Sequence, residues 1–206
     1  MTKIITIIAL LVVSVVSAQG QFEQGMGKAL QTWKEGKPVE AVAQLERIAS
    51  VEKTNWLPNY YIALINTIQA FGEKDKTKML SLIESAQKAQ DICNNLAMDN
   101  PEVLVMQSMI HTASIVYDPM TNGQKLSGDI MYILNKAYKI APENPRVMFQ
   151  KASFEIGMAQ YFGQDTKPMC AQIEKAIELF ATFKPETALH PSWGLDRAQA
   201  ELKKCK

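Results

Sequence analysis

The sequence predicts an all-α chain built from consecutive antiparallel helical hairpins. Three observations carry that expectation. All nine prolines, at 38, 58, 101, 119, 142, 145, 168, 185 and 191, can be read as helix boundaries, because proline suits a first helical turn and breaks an interior. Between them, apolar residues recur at steps of three or four, the spacing of one helix face. No stretch alternates strictly between apolar and polar residues, and no Asn-Gly joins two β-branched runs, so strands and tight β-hairpins are not expected.

Taken in order, the first helix is read over 22–35 and closes at Gly36. The second, 38–51, opens on Pro38 and carries Val39, Val42, Leu45 and Ile48. The third, 57–71, repeats the pattern with Tyr61, Ile62, Ile65, Ile68 and Phe71 and ends at Gly72. A fourth is read over 76–98, after the alternating charges of Glu73 to Lys78. The fifth, 101–117, opens on Pro101 and places Val103, Met106, Met109, Ile110, Ala113 and Tyr117 at helical steps. Asn122-Gly123 lies between polar residues and is read as a helix–helix loop, so the sixth begins at 124 and runs to 141. The seventh spans 145–160 before Gly163, the eighth 168–183, and the ninth 191–204 from Pro191. Glycines in the gaps allow the positive φ that ends a helix. Short gaps make neighbours antiparallel, giving four hairpins and a final helix.

The N-terminus reads as an address. Met1-Thr2-Lys3 is a short basic region, Ile4 to Val16 is apolar apart from Thr6 and Ser14, and Val16-Ser17-Ala18 offers small residues for cleavage. The apolar run is too short to span a bilayer, and the pattern is that of a secretory signal peptide. The expected division is a cleaved segment 1–18 and one domain, 19–206. No cysteine follows the apolar run, so no lipid anchor is expected, and the periplasm or the exterior is the expected compartment. The chain has 22 Lys+Arg and 21 Asp+Glu. Cleavage after Ala18 removes Lys3 alone among them and leaves a formal net charge of zero. That balance argues against a nucleic-acid or polybasic membrane-surface partner. With 47% hydrophobic residues the chain can build a core, and no later run is apolar enough for a membrane span.

Three segments look alike: Leu96-Ala97-Met98-Asp99-Asn100-Pro101, Ala137-Tyr138-Lys139-Ile140-Ala141-Pro142 and Phe180-Ala181-Thr182-Phe183-Lys184-Pro185. They recur at intervals of 41 and 43 residues. The second helix adds Ala41, Leu45 and Ile48, a small residue that lets helices approach and larger ones that fill the space a turn later. This spacing resembles tetratricopeptide (TPR) repeats, and the resemblance covers nearly all of the mature chain, although the period exceeds the usual 34. It is strongest at Ala137–Pro145. With Asn55-Trp56-Leu57-Pro58, Glu143-Asn144-Pro145-Arg146-Val147, Phe162-Gly163 and Pro191-Ser192-Trp193-Gly194, the chain also resembles a family of exported TPR-like proteins of the Bacteroidota, mostly without assigned activity. The resemblance implies a right-handed solenoid of about four hairpins with a C-terminal capping helix, whose first helices line a concave surface where extended segments dock.

Chemistry-bearing motifs are sparse. The two histidines, His111 and His190, fall on different hairpins, and no His-Glu-x-x-His, Gly-x-Ser-x-Gly, phosphate-binding loop or Cys-x-x-Cys occurs. No catalytic residue, metal site or cofactor is therefore expected. Trp56, Tyr60 and Tyr61 open the third helix. One reading packs them in the core with Tyr60 or Trp56 at its edge. The other turns Tyr60, Asn59 and Asn66 toward a concave groove, to which Gln107 and His111 are added as candidate binding residues. Arg146 is read as structural, and Trp193 as a cap on the preceding hairpin. Cys93, between Ile92 and Leu96, reads as a small buried hydrophobe. Cys170 and Cys205 lie about equally far, some 17 residues, on either side of the expected last turn, which brings them side by side in an antiparallel pair. They are the candidate disulfide, the alternative being two free thiols. The function expected is a non-enzymatic scaffold for a protein or peptide segment of the cell envelope. The alternative is a small-molecule or glycan-binding protein with a pocket between hairpins.

Overall fold

The computed structural model describes residues 20–205, so the expected signal peptide lies outside the described residues. Among these residues there are nine α-helices and no strand. They are α1 (20–34), α2 (Pro38–Val51), α3 (Leu57–Gly72), α4 (Lys76–Leu96), α5 (Pro101–Tyr117), α6 (Pro119–Ile140), α7 (Pro145–Tyr161), α8 (Lys167–Thr182) and α9 (Leu195–Leu202), followed by a short 3₁₀ turn, Lys203–Cys205.

Local chemistry starts the helices where the sequence places them. Six of them, α2, α3, α5, α6, α7 and α8, carry proline in the first turn. Asp75, Asn100, Asp118 and Asn144 accept hydrogen bonds from backbone N–H groups of the turn that follows each of them, meeting donors that have no partner inside the helix. Asn122 and Gly123, expected in a loop, are inside α6, because Asp118 caps the helix and Pro119 starts it. A second correction concerns the end of the chain. The last helix begins at Leu195, not 191, behind Gly194 at φ 115°.

The helices pair as α3 with α4, α5 with α6 and α7 with α8, and the first members touch in series, α3 with α5 and α5 with α7. Alanines sit at the contacts. Ala41, Ala63, Ala86, Ala113, Ala137, Ala152 and Ala176 are all fully buried, so neighbouring backbones can approach closely while Leu45, Leu64, Ile65, Met106 and Leu134 fill the adjoining space. The fold is an all-α TPR-like solenoid.

Residues 183–194 leave α8 and run back across the first helices of the hairpins as a strap. The Tyr61 hydroxyl donates to the Leu189 carbonyl at 2.9 Å, and the Trp193 indole N–H donates to the Tyr60 hydroxyl at 2.9 Å. Trp193 therefore reaches α3 rather than capping the hairpin before it. The chain then returns through α9. There Ala198 and Leu202 pack with Phe149 and Ala152 of α7 and Ile173 and Ala176 of α8, and Cys205 is bonded to Cys170 with their Cα atoms 5.9 Å apart.

Under the strap lies a buried ion pair. Arg146, 1% exposed, gives two hydrogen bonds to Glu102, Nε to Oε2 and Nη2 to Oε1, each 2.7 Å. Asn144 Nδ2 donates to the same carboxylate at 2.6 Å. The guanidinium also stacks on the Phe183 ring at 4.6 Å and points Nη1 at the Trp193 carbonyl, 3.4 Å away. A bidentate pair satisfies both groups where water is excluded.

Substitutions at three positions test this packing. Arg146→Met should lower stability by about 3–5 kcal/mol, because it leaves a buried carboxylate uncompensated. Arg146→Met with Glu102→Leu should recover most of that loss in urea unfolding. Gly194→Ala should cost on the order of 1–3 kcal/mol, since an added Cβ would keep a left-handed backbone and stand 2.9 Å from Phe180 Cζ; the unfolding midpoint measures it.

Candidate functional site

A cleft of about 540 Å³ opens between the first two hairpins, with α2 and α4 as walls and α3 as floor. Its apolar lining comes from Ala49 of α2, Ile62 of α3, and Ala89 and Ile92 of α4. Its mouth carries Lys53, Lys88 and Glu46, all exposed. None of these three charged groups forms an ion pair among the described residues.

The floor is more informative. Asn59 and Asn66 of α3 are 7% and 6% exposed and line this cleft. Neither side-chain amide has a hydrogen-bond partner among the described residues. Their polar atoms are not sealed from solvent: they open to the cleft, where water or a ligand can pair them. Two such groups, seven residues apart on one helix, are two turns apart on one face. The cleft thus combines apolar walls, two hydrogen-bonding groups without partners on its floor and two free ammonium groups at its mouth. Small-ligand pockets in general combine apolar walls with a few convergent polar groups.

The five candidate binding residues separate. Asn59 and Asn66 share the cleft. Tyr60 does not face a groove: it is fully buried, stacked edge-on against Trp56 and Tyr61, and hydrogen-bonded to Trp193. Its hydroxyl pKa is pushed well above the ordinary value by burial. Tyr60 and Tyr61 occupy the face of the turn opposite Asn59 and Ile62, so the α3 side chains that reach the strap are not those that reach the cleft. Gln107 bridges α5 to α4 through Gln87 and Asn94. His111 is partly buried on α5, and its Nδ1 has no partner. Neither lines the cleft. The inner-helix surface expected as an open docking groove is crossed by the chain's own strap.

Elsewhere, His190 belongs to the strap, with Nδ1 2.8 Å from Thr187 Oγ1, Nε2 3.2 Å from Glu186 and its ring edge-on to Trp56. It stands in a second, open depression of about 880 Å³ between the strap and the start of α3. Cys93 is buried and unbridged, and burial pushes its thiol up to about 12. No group of three or more His, Cys, Asp or Glu side chains among the described residues could hold a metal ion. No helix among them is long and apolar enough to cross a membrane.

The sequence matches no protein-family model and none of the curated proteins. Solved structures do match it. The HusA haemophore from Porphyromonas gingivalis, a Bacteroidota species, superposes with a TM-score of 0.78 at 25% identity, over 90% of this chain and 92% of that one. A thermophilic TPR protein of Thermus thermophilus superposes with a TM-score of 0.60 at 15% identity, over 89% of each chain. The second likeness supports the fold alone.

His111 yields a prediction of its own. Burial holds its imidazole pKa below the ordinary 6.5, against a smaller pull upward from Asp129. As pH falls below about 6.5, the unfolded chain takes up this proton before the folded one, so the fold loses stability across that window and holds all of it above. An NMR titration of the ring should give a midpoint below 6.5, and His111→Gln should flatten the stability profile between about pH 7 and 5.

Proposed function

We propose that this chain is a non-enzymatic carrier whose cleft between α2 and α4 holds a small, flat, apolar anion of the haem class. The observation that carries the reading is the pair of amides, Asn59 and Asn66, that have no partner within the protein and open onto the floor of an apolar cleft with lysines at its mouth. A tetrapyrrole offers an apolar face to Ile62, Ile92, Ala49 and Ala89. Its carboxylates meet Lys53 and Lys88 as charge-assisted pairs, and polar atoms at its edge meet the two amides. The likeness to a haemophore over nine-tenths of both chains supports the same class of cargo. Carriage outside the cytoplasm accords with the address read at residues 1–18.

The lining supplies no His, Cys, Met or Tyr, so the ring rather than its iron is the feature recognised. A second reading, a scaffold for a protein segment of the envelope, draws on a different surface. Tyr161 is 84% and Phe162 61% exposed, stacked edge to face at the end of α7, and a protein could cover them where a small ligand could not.

Absorbance titration of the mature protein with haemin should give a saturable shift of the Soret band. Lys53→Glu with Lys88→Glu should weaken it at least tenfold, and metal-free protoporphyrin should bind with comparable affinity. No saturable shift, or a shift indifferent to substitutions in the cleft, would contradict the haem reading.

A further inference from the structure

The strap and the cleft meet on one turn of α3. Residues 59–62 present Tyr60 and Tyr61 to the strap and Asn59 and Ile62 to the cleft. A helical turn cannot move one face without the other. The strap holds this turn by two hydrogen bonds and reaches the entry to α3 through His190 against Trp56. Its far end is the eight-residue helix α9, which the Cys205–Cys170 bridge just beyond it cross-links to α8. Eight residues are too few to hold a helix without tertiary support. The support here is a small contact with α7 and α8, the stacking of Arg197 over Phe71 at 6.0 Å, and the disulfide.

Other features carry less. The lone buried Cys93 has no neighbouring chemistry. The exposed Tyr161–Phe162 pair has nothing beside it that defines an occupant. The unpartnered Nδ1 of His111 lines neither of the two cavities described above.

We infer that the Cys170–Cys205 bridge is a redox latch: while closed, it keeps the strap on Tyr60 and Tyr61 and so holds the ligand cleft in its binding shape. The latch as a control of binding rests on the carrier reading above, whereas its effect on α3 does not. Opening is a thiol–disulfide exchange with an external dithiol. A thiolate of the dithiol attacks Sγ of the partly exposed Cys205, and Cys170 leaves as a thiolate that takes up a proton. The second thiol of the dithiol, once deprotonated, displaces Cys205, which is protonated in turn. Two electrons and two protons pass to the protein, and the dithiol becomes a disulfide. The strap then keeps only its non-covalent contacts, and local opening of 186–202 becomes frequent.

The test is hydrogen exchange on the ligand-free mature protein, oxidised and after reduction by dithiothreitol, followed by haemin titration of both states. Reduction should speed exchange at least tenfold in 186–202 and measurably in 57–62, leave α5 and α6 unchanged, and weaken haemin binding at least fivefold. Trp193→Phe, with the disulfide intact, should reproduce the effect on 57–62 in part, which separates strap contact from any effect of reduction on folding. Unchanged exchange in 57–62 on reduction would overturn the latch, and so would equal loosening of α5 and α6, which would make the bridge a general staple. If haemin fails to bind the oxidised protein, the haem reading falls and the exchange of 57–62 alone decides the latch.

Discussion

The buried pair of Arg146 and Glu102 is the constraint on which the rest of the arrangement depends. A guanidinium and a carboxylate that have lost their water must meet in good geometry, and the bidentate contact demands that α5 and α7 sit in one register. Asn144, which caps α7 through its Oδ1, uses its Nδ2 on the same carboxylate. The cap and the pair are therefore one network: shifting α7 along its axis would break both. The Phe183 ring and the Trp193 carbonyl close the remaining side of the guanidinium. The strap is thus part of what keeps water from the charge, and the charge is part of what holds the strap.

That arrangement changes what a TPR-like stack can do. In an open solenoid the first helices present a free inner surface, and extended segments are its natural occupants. Here that surface meets the chain's own residues 183–197, which bring a carbonyl to Tyr61, an indole to Tyr60 and a guanidinium to Phe71. Asn59 and Asn66, on the α3 floor between α2 and α4, open to the cleft instead.

Much of the fold was legible in the sequence because it is local. Prolines in first turns, Asp and Asn caps and three-four apolar spacing act within a few residues of themselves, so helix order and the hairpins could be read directly. The pairing of Cys170 with Cys205 was accessible for a related reason: it depends on one turn and a common rise. Tyr60 was not legible. Its fate depends on Trp193, 133 residues away, and no local signal separates a tyrosine facing a groove from one facing a strap. Trp193 was misplaced for the same reason. Asn122-Gly123 misled because composition marks a turn there, while Asp118 and Pro119, a few residues earlier, had already started the helix. Asn59 and Asn66 could be singled out as polar residues on an apolar helix, but their lack of partners is a property of three packed helices and is invisible in one.

The chemistry of the cleft also bounds its selectivity. Apolar walls discriminate weakly between ligands of similar size, since contact with a methylene group more or less changes affinity only modestly. Hydrogen-bonding groups discriminate strongly, because a ligand that covers Asn59 and Asn66 without pairing them takes away their water and leaves them unsatisfied. Lys53 and Lys88 at the solvent edge act differently again: exposed charges steer and orient more than they hold. On the carrier reading, the lysines would set which end of an anion faces outward, the walls that it is flat and apolar, and the two amides which edge pattern is accepted. Any strain that moves the 59–62 turn acts first on the most selective of the three.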